Sequence, residues 1–149
     1  MKRFLFLFPL VLFFGCSVSE NPEIKELKRH LQNVSLVGAD LSNMDLKNVD
    51  LTNASLKNVD LRGANLYGSN LIGVSFQGAD LSKADFENTN CRGADFLRAN
   101  LEGVEFKGAD LTHARFIGAD VKKADFRGAH GLSLDTVEYL RNKGALVEY

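Results

Sequence analysis

Residues 78–86 read GADLSKADF, and the chain repeats this pattern every five residues over most of its length. The unit G-A-D-L occurs at residues 38–41, 78–81 and 108–111, and A-D-L or A-D-F recurs between these positions. A helix repeats every 3.6 residues and a strand every 2, so neither keeps residues five apart on one face. The period therefore predicts a chain that turns a corner in every unit, with a short extended side followed by a bend.

The nineteen consecutive units centred on residues 36 to 126 have the residue types that such a coil needs. The centre is Leu eleven times and Phe six times, and the residue two before it is Ala eleven times or Val five times. In an extended segment both face the same way, so a large and a small side chain fill the interior together. Two residues after the centre stands Gly ten times or Asn five times, which tolerate positive φ at a corner. The pattern predicts a solenoid whose coils pair their backbones about 4.8 Å apart.

The spacing of Phe predicts how many sides each coil has. Six Phe recur at an interval of ten, at every second unit, which requires an even number of sides. Two sides would leave no interior, so we expect four. Four sides place two Phe stacks opposite each other, one of Phe76, Phe96 and Phe116 and the other of Phe86, Phe106 and Phe126.

With these units, residues 34–128 resemble the pentapeptide-repeat family, whose motif is A-(D/N)-L-x-x. The resemblance implies an all-β solenoid, a right-handed four-sided β-helix, which we expect over residues 33–131. Some members of that family mimic DNA and bind DNA gyrase, a use that relies on a strongly acidic rod.

Short helices are expected to cap both ends of the coil, because an open coil exposes unpaired backbone. Asn21-Pro22 opens a predicted helix over residues 22–32. A second helix with a tail is predicted over residues 132–149, with Ser133 as its N-cap and Gly144 as its stop. The apolar stripes would be Ile24, Leu27 and Leu31 in the first helix, and Leu134, Val137 and Leu140 in the second.

Residues 1–15 have a basic start and an apolar run of eleven residues, too short to span a bilayer, which is the build of a secretory signal peptide. The run ends in F-F-G-C, which resembles the lipobox of bacterial lipoproteins and predicts lipidation of Cys16. Ordinary cleavage after Ser19 is the alternative, and both export the protein. Residues 16–21 would be the lipidated Cys and a short tether, so the folded body should lie close to a membrane of the bacterial cell envelope, with the outer membrane favoured over the inner.

The candidate chemical groups are explained by the repeat. All ten Asp of residues 34–128 occupy the position just before a centre, where a carboxylate can accept hydrogen bonds from nearby backbone N–H groups. Cys91 occupies a centre and is expected to be a small buried hydrophobe. His30, His113 and His130 occupy unrelated positions with no ligand spacing. The sequence therefore predicts no catalytic residue, no metal site and no cofactor.

One outward surface departs from the expected polarity. On the side of the Phe76 stack, the residue after each centre is Val37, Lys57, Gln77, Leu97 or Ile117. Leu97 and Ile117 fall on consecutive coils, flanked by Arg98 and Arg115. Apolar residues with Arg nearby are typical of contact sites, although scattered exposed apolar residues are also normal. We expect a partner contact or a self-association site here.

These observations predict a non-enzymatic lipoprotein of the envelope that serves as a scaffold for an unidentified protein partner, with a homodimer as a further expectation. The alternative is a DNA mimic that binds gyrase. Residues 34–128 carry thirteen acidic and eleven basic residues, a net charge of only −2, and gyrase is cytoplasmic, so both charge and export favour the scaffold. The balanced charge also predicts no binding to nucleic acid.

Overall fold

The computed structural model describes residues 31–148. From Leu31 to His130 the backbone repeats one five-residue pattern of centre, two-residue turn, small inward residue and bridge residue. Each bridge residue from Ser35 to Asp110 pairs in parallel with the residue twenty positions later, beginning with Ser35 and Ser55. Twenty residues are four units of five, so residues 31–130 form a solenoid of five coils with four sides. Within residues 31–130 the sides are too short for continuous strands, and each contributes one bridge residue.

We name the four sides by the centres that stack along them. Side I has centres Leu31, Leu51, Leu71, Cys91 and Leu111, and side II has Leu36, Leu56, Phe76, Phe96 and Phe116. Side III has centres Leu41, Leu61, Leu81, Leu101 and Val121, and side IV has Leu46, Leu66, Phe86, Phe106 and Phe126. Each side also includes the bridge residue before its centre and the two corner residues after it.

Each corner is a turn whose third residue has positive φ. In the turn that starts at Leu36, the Ala39 N–H donates to the Leu36 carbonyl at 3.1 Å, and Gly38 has a φ of 69°. This is the pattern of a type II turn, which favours Gly or Asn at that position. Ten Gly and six Asn occupy the twenty corners, and the other four are Lys83, Arg98, His113 and Lys123.

The two Phe stacks meet inside the coil. Phe96 stacks on Phe76 and Phe116 with ring centroids 5.1 and 5.2 Å apart and rings nearly parallel. Rings of side II meet rings of side IV edge to face, with centroids 5.5 to 6.4 Å apart. Edge-to-face contact is a favoured geometry for aromatic pairs. The predicted opposition of the two stacks is therefore confirmed, and sides II and IV are opposite faces of the rod.

A helix, α1 (Leu134–Asn142), follows the last coil. The Ser133 hydroxyl accepts a hydrogen bond from the Thr136 N–H, so Ser133 is the N-cap. Val137 and Leu140 are buried, but Leu134 is 78% exposed. The predicted apolar stripe is thus wrong at Leu134, because this residue lies in the first turn and the helix reaches the core only beyond it.

After α1 the chain returns to side IV. The Gly144 N–H donates to the Arg141 carbonyl and the Ala145 N–H to the Leu140 carbonyl, which is the Schellman pattern, with Gly144 at a φ of 92°. Leu146 then pairs with Asp125, a spacing of 21 residues instead of 20. The Lys123 N–H, at the corner before side IV, also donates to the Gly144 carbonyl at 3.0 Å. A short segment therefore extends the ladder along side IV and the corner that leads into it.

The predicted N-terminal helix over residues 22–32 lies outside the described residues except at its end. There the structure differs from the prediction, because Leu31 and Gln32 belong to the first coil. Leu31 is a buried centre, and Asn33 is a corner residue with a φ of 57°. The repeat therefore begins no later than Leu31, before the predicted start at residue 33.

Candidate contact surface

The ten Asp of the coil serve its turns. In every case one carboxylate oxygen accepts a hydrogen bond from the backbone N–H two residues later, at 2.8 to 3.3 Å. The hydroxyl and N–H of Thr112 lower the pKa of Asp110 to about 2, and the guanidinium of Arg62 lowers the pKa of Asp60. These bonds favour the ionised carboxylate. The Asp ladders therefore stabilise the corners and do not form an acid–base pair.

The cysteine and histidine side chains of the coil do not form a reactive site either. Cys91 is fully buried, and burial raises the pKa of its thiol to about 12. His113 is a corner residue of side I, and His130 is the last bridge residue of the same side. In residues 31–148, no group of three or more His, Cys, Asp or Glu is placed to hold a metal ion.

The structure places Leu97 and Ile117 on adjacent coils of side II. The Arg98 N–H donates to the Ile117 carbonyl at 3.0 Å, which fixes the two turns side by side. Ile117 is 63% exposed, whereas Leu97 is half-buried. Leu97 has neighbours in the coils on both sides, Gln77 and Ile117, while Ile117 belongs to the last coil of this side. The expected exposed pair is therefore one exposed and one half-buried residue.

The two Arg of this surface differ in their partners. Arg115 replaces the usual Asp or Asn at a bridge position, and its guanidinium lies 3.5 Å from the Asp95 carboxylate. Asp95 also accepts a hydrogen bond from Gln77 Nε2 at 2.7 Å. The Arg98 side chain is exposed and has no hydrogen bond or ion pair with another residue of the described part of the chain. Arg98 therefore offers an unused guanidinium beside Ile117, and Arg115 adds a second that is only loosely held.

The four sides differ in charge. Side II carries Lys57, Arg98 and Arg115 against Asp95, a net charge of +2. Sides I and III each carry a net charge of −1. Side IV carries five acids against three bases between residues 45 and 128, a net charge of −2. Side II, on which Val37 and Ile117 are exposed, is therefore the only basic one of the four, whereas side IV, with Tyr67 and Leu146 exposed, is the most acidic.

Between Ser35 and Asp125, two bridge positions break the Asp, Asn or Ser rule of the repeat. They are Arg115 on side II, which the sequence already predicts as a contact residue, and Glu105 on the opposite side IV, which no sequence prediction included. The Glu105 carboxylate makes no hydrogen bond or ion pair with residues 31–148. Because a strict repeat makes any departure visible, the signal was present in the sequence.

The parallel bridges every twenty residues, the four corners per coil and the filled interior define a solenoid repeat protein. A family model described as pentapeptide repeats matches residues 30–63, 50–88, 64–103 and 89–128. The matches cover well over half of the chain, which belongs to the pentapeptide-repeat family.

Two solved structures illustrate the likeness. A pentapeptide repeat protein from the thylakoid lumen of Arabidopsis thaliana is 28% identical, with 87% of each chain covered and a TM-score of 0.73. A pentapeptide repeat protein from the cyanobacterium Cyanothece 51142 is 23% identical, with 84% of this chain and 92% of the other covered and a TM-score of 0.67. No curated protein sequence matches the chain. The comparisons indicate a structural repeat protein and point to no enzyme family.

The predicted lipidation site, Cys16, lies outside the described residues. Between residues 31 and 148, the structure contains no helix long and apolar enough to cross a membrane.

Proposed function

We propose that this protein is a non-enzymatic scaffold of the bacterial cell envelope, anchored by lipid on Cys16, that binds a protein partner through side II. The observation that carries the contact is Ile117, exposed beside the unused guanidinium of Arg98 on the one basic side. Elsewhere on the rod the outward Asp are used by the turns. A contact surface formed by Leu97, Ile117, Arg98 and Arg115 has the apolar residues and Arg that are enriched where proteins meet.

The anchor rests on the sequence of the N-terminus. F-F-G-C after a short apolar run favours lipidation over simple cleavage after Ser19, and a tether of a few residues would hold the first coil near the lipid surface. The outer membrane is favoured over the inner. The right-handed sense of the coil and the part of the predicted capping helix that precedes Leu31 belong to the same proposal.

The DNA mimic is the weaker candidate. Such a protein needs a continuous acidic surface, whereas the acids here are interspersed with bases and side II is basic.

Mass spectrometry of the protein purified from membranes tests the anchor. We expect a mature chain that begins at Cys16 and carries lipid. The Cys16→Ala variant should yield no processed, lipid-bearing chain in the membrane fraction. An unmodified N-terminus at Glu20 would contradict the anchor.

A double substitution tests the contact surface on side II. Leu97→Ser with Ile117→Ser should leave the melting temperature nearly unchanged while partner capture is lost. The matched control is Ser42→Ala with Ser82→Ala, in the same slot on side III.

A further inference from the structure

We propose that the contact surface on side II binds side IV of a second copy of this chain, so that copies associate laterally in rows. This inference rests on the proposed function in that it names the partner of the side II surface and locates the association at the membrane. The two surfaces lie on opposite faces of the same rod and differ in charge, shape and polarity in ways that make them complementary.

Side IV has a groove near its C-terminal end. The groove has a volume of about 310 Å³ and is lined by Glu87, Glu105, Lys107, Asp125, Arg127 and Glu148. Four acids against two bases give this groove a net charge of −2. Arg127 and Asp125 neutralise each other through Nη2 and Oδ2 at 2.6 Å. Glu87, Glu105 and Glu148 then outnumber Lys107, so the groove has carboxylates available for a basic partner.

The segment after α1 contributes to this groove. Leu146 pairs with Asp125 on side IV, and Glu148 follows two residues later. The groove therefore extends to the point where the extra segment continues the last coil, at the same end of the rod as Ile117 on side II. A volume of this size accepts an aliphatic side chain together with a guanidinium group.

The two departures from the bridge rule support the pairing. A bridge position normally has a short polar side chain that serves the turn, yet it is Arg115 on side II and Glu105 on side IV. Neither is required by its corner, because neither side chain accepts a hydrogen bond from the N–H two residues later within the described chain. Within residues 31–148, the Arg115 guanidinium is held only by Asp95 at 3.5 Å, and the Glu105 carboxylate has no partner. These opposite charges lie on opposite faces and form an ion pair when side II of one copy meets side IV of the next.

The size of the faces decides where this contact forms. Five coils about 4.8 Å apart and a side at most about 17 Å wide give roughly 400 Å² per copy. A stable complex buries about 800 Å² per partner, so the contact is weak in solution. Chains confined to a membrane surface have a high effective concentration, which compensates for a weak contact. The rows therefore form on the membrane.

The arrangement is heterologous, since two different surfaces meet. A heterologous contact between opposite faces leaves side II free at one end of a row and side IV free at the other, so the row continues until copies run out. A symmetric contact of side II with side II would instead stop at two copies and would bring Arg98 and Arg115 against the same residues of the partner.

Charge reversal on each surface tests the pairing. The full mature chain, labelled at its C-terminus with donor or acceptor dye, is reconstituted into vesicles of neutral lipid, and energy transfer between copies is measured at a fixed protein-to-lipid ratio. Variant one is Arg98→Glu with Arg115→Glu, and variant two is Glu87→Lys with Glu105→Lys. Each variant alone should lose about fivefold or more of the association, because like charges then face each other. An equimolar mixture of the two should recover it, since each reversed surface meets a complementary one.

Controls keep the outcome decisive. Lys57→Glu with Ser35→Glu changes the charge of side II at the other end of the rod and should leave association nearly unchanged. If a reversed variant has a lower melting temperature, two neutral variants replace the two reversed ones. They are Arg98→Gln with Arg115→Gln on side II, and Glu87→Gln with Glu105→Gln on side IV. When each is mixed with the wild type, association should weaken only at the contacts that use its changed side.

The proposal is overturned if wild-type copies show no energy transfer, or if the mixture of reversed variants does not recover it. Recovery fails for a partner that is a different protein or an anionic lipid. A contact of side II with side II would instead leave variant two associated on its own, because that variant keeps the wild-type side II. Flotation of the same vesicles reports membrane attachment separately. Attachment without energy transfer would contradict the lateral contact alone, and energy transfer without attachment would contradict the anchor alone.

Discussion

The coils before Phe76 and the coils from Phe76 onward share one backbone but fill it differently. The first eight centres from Leu36 are all Leu, and the inward residue two before them is Ala only three times. The eleven centres from Phe76 include six Phe, and there the inward residue is Ala eight times. Where the centre is Phe, the inward residue two positions before it is Ala, except for Val74 and Val104. The cross-section of the coil is therefore set by the backbone, and the two inward residues share a fixed volume.

The largest expected effect on stability comes from truncating a buried Phe in the coils from Phe76 onward. Phe96 is fully buried and contacts four other rings, so Phe96→Ala should cost about 3–5 kcal/mol of unfolding free energy. Leu56→Ala, on the same side in the Leu part, should cost less, because it removes a smaller side chain. Reversible denaturant unfolding measures both, with the exposed Lys57→Ala as control. A cost below about 1 kcal/mol for Phe96→Ala would show that the ring is not a core residue.

Acid should affect both parts alike, since their corners share one chemistry. Hydrogen bonds lower the pKa of Asp40 and Asp60 in the first part and of Asp110 and Asp125 in the second. A carboxyl with a lowered pKa in the folded state contributes stability that is complete above its unfolded value and lost as the pH falls through the folded value. Because the pKa of Asp110 is about 2, the melting temperature should stay constant down to about pH 4 and decrease between pH 4 and 2. A melting temperature equal at pH 7 and pH 2 would contradict this role.

An exchange of volume tests the compensation directly. Phe96→Leu should leave a cavity and cost about 1–2 kcal/mol, and adding Ala94→Val should recover part of that loss, because Val fills the space beside the smaller centre. The double variant then has the pair of residue types found in the Leu part. If Ala94→Val lowers stability equally in both backgrounds, the two positions do not share a volume and the comparison fails.

The smallest effect concerns the corners. Lys83 and Asn48 both take positive φ, at 60° and 55°, but Asn tolerates this conformation better than Lys. Lys83→Asn should therefore raise the unfolding free energy by up to about 1 kcal/mol, and Asn48→Lys should lower it by a similar amount. Thermal unfolding of the two single variants measures the difference. Opposite signs to those stated would mean that the Lys83 side chain has a stabilising role.

Much of the coil could be predicted from the sequence, because the length of a strict repeat and the residue type at each of its positions indicate how the chain must turn. The interval between Phe86 and Phe96 predicted opposite stacks, and Gly or Asn two residues after each centre predicted the corners. The same reasoning failed at Leu134, where the helix is not periodic with the coil and its first turn extends beyond the core. It also overstated the exposure of Leu97, because burial of an outward residue depends on the neighbours stacked in adjacent coils.

The groove on side IV could not be predicted from the repeat. It depends on the chain returning after α1 with a spacing of 21 residues, which places Glu148 beside Glu105 and Asp125. Nothing in the five-residue pattern describes that return. By contrast, Glu105 could have been identified from the sequence as the acidic counterpart of Arg115, because both depart from the bridge rule on opposite sides of the coil.

The C-terminal closure also controls growth along the rod axis. A coil that ended at His130 would present a ring of unpaired N–H and C=O groups, on which the first coil of another molecule could continue the ladder. Here α1 packs Val137 and Leu140 over that opening, the Tyr139 hydroxyl accepts from the Gly118 N–H, and Leu146 pairs with Asp125 on side IV. A solenoid is in principle a fragment of an endless fibre. The C-terminal tip of this one is sealed, which stops the ladder from growing at that end and leaves the flanks of the described coils open to other molecules.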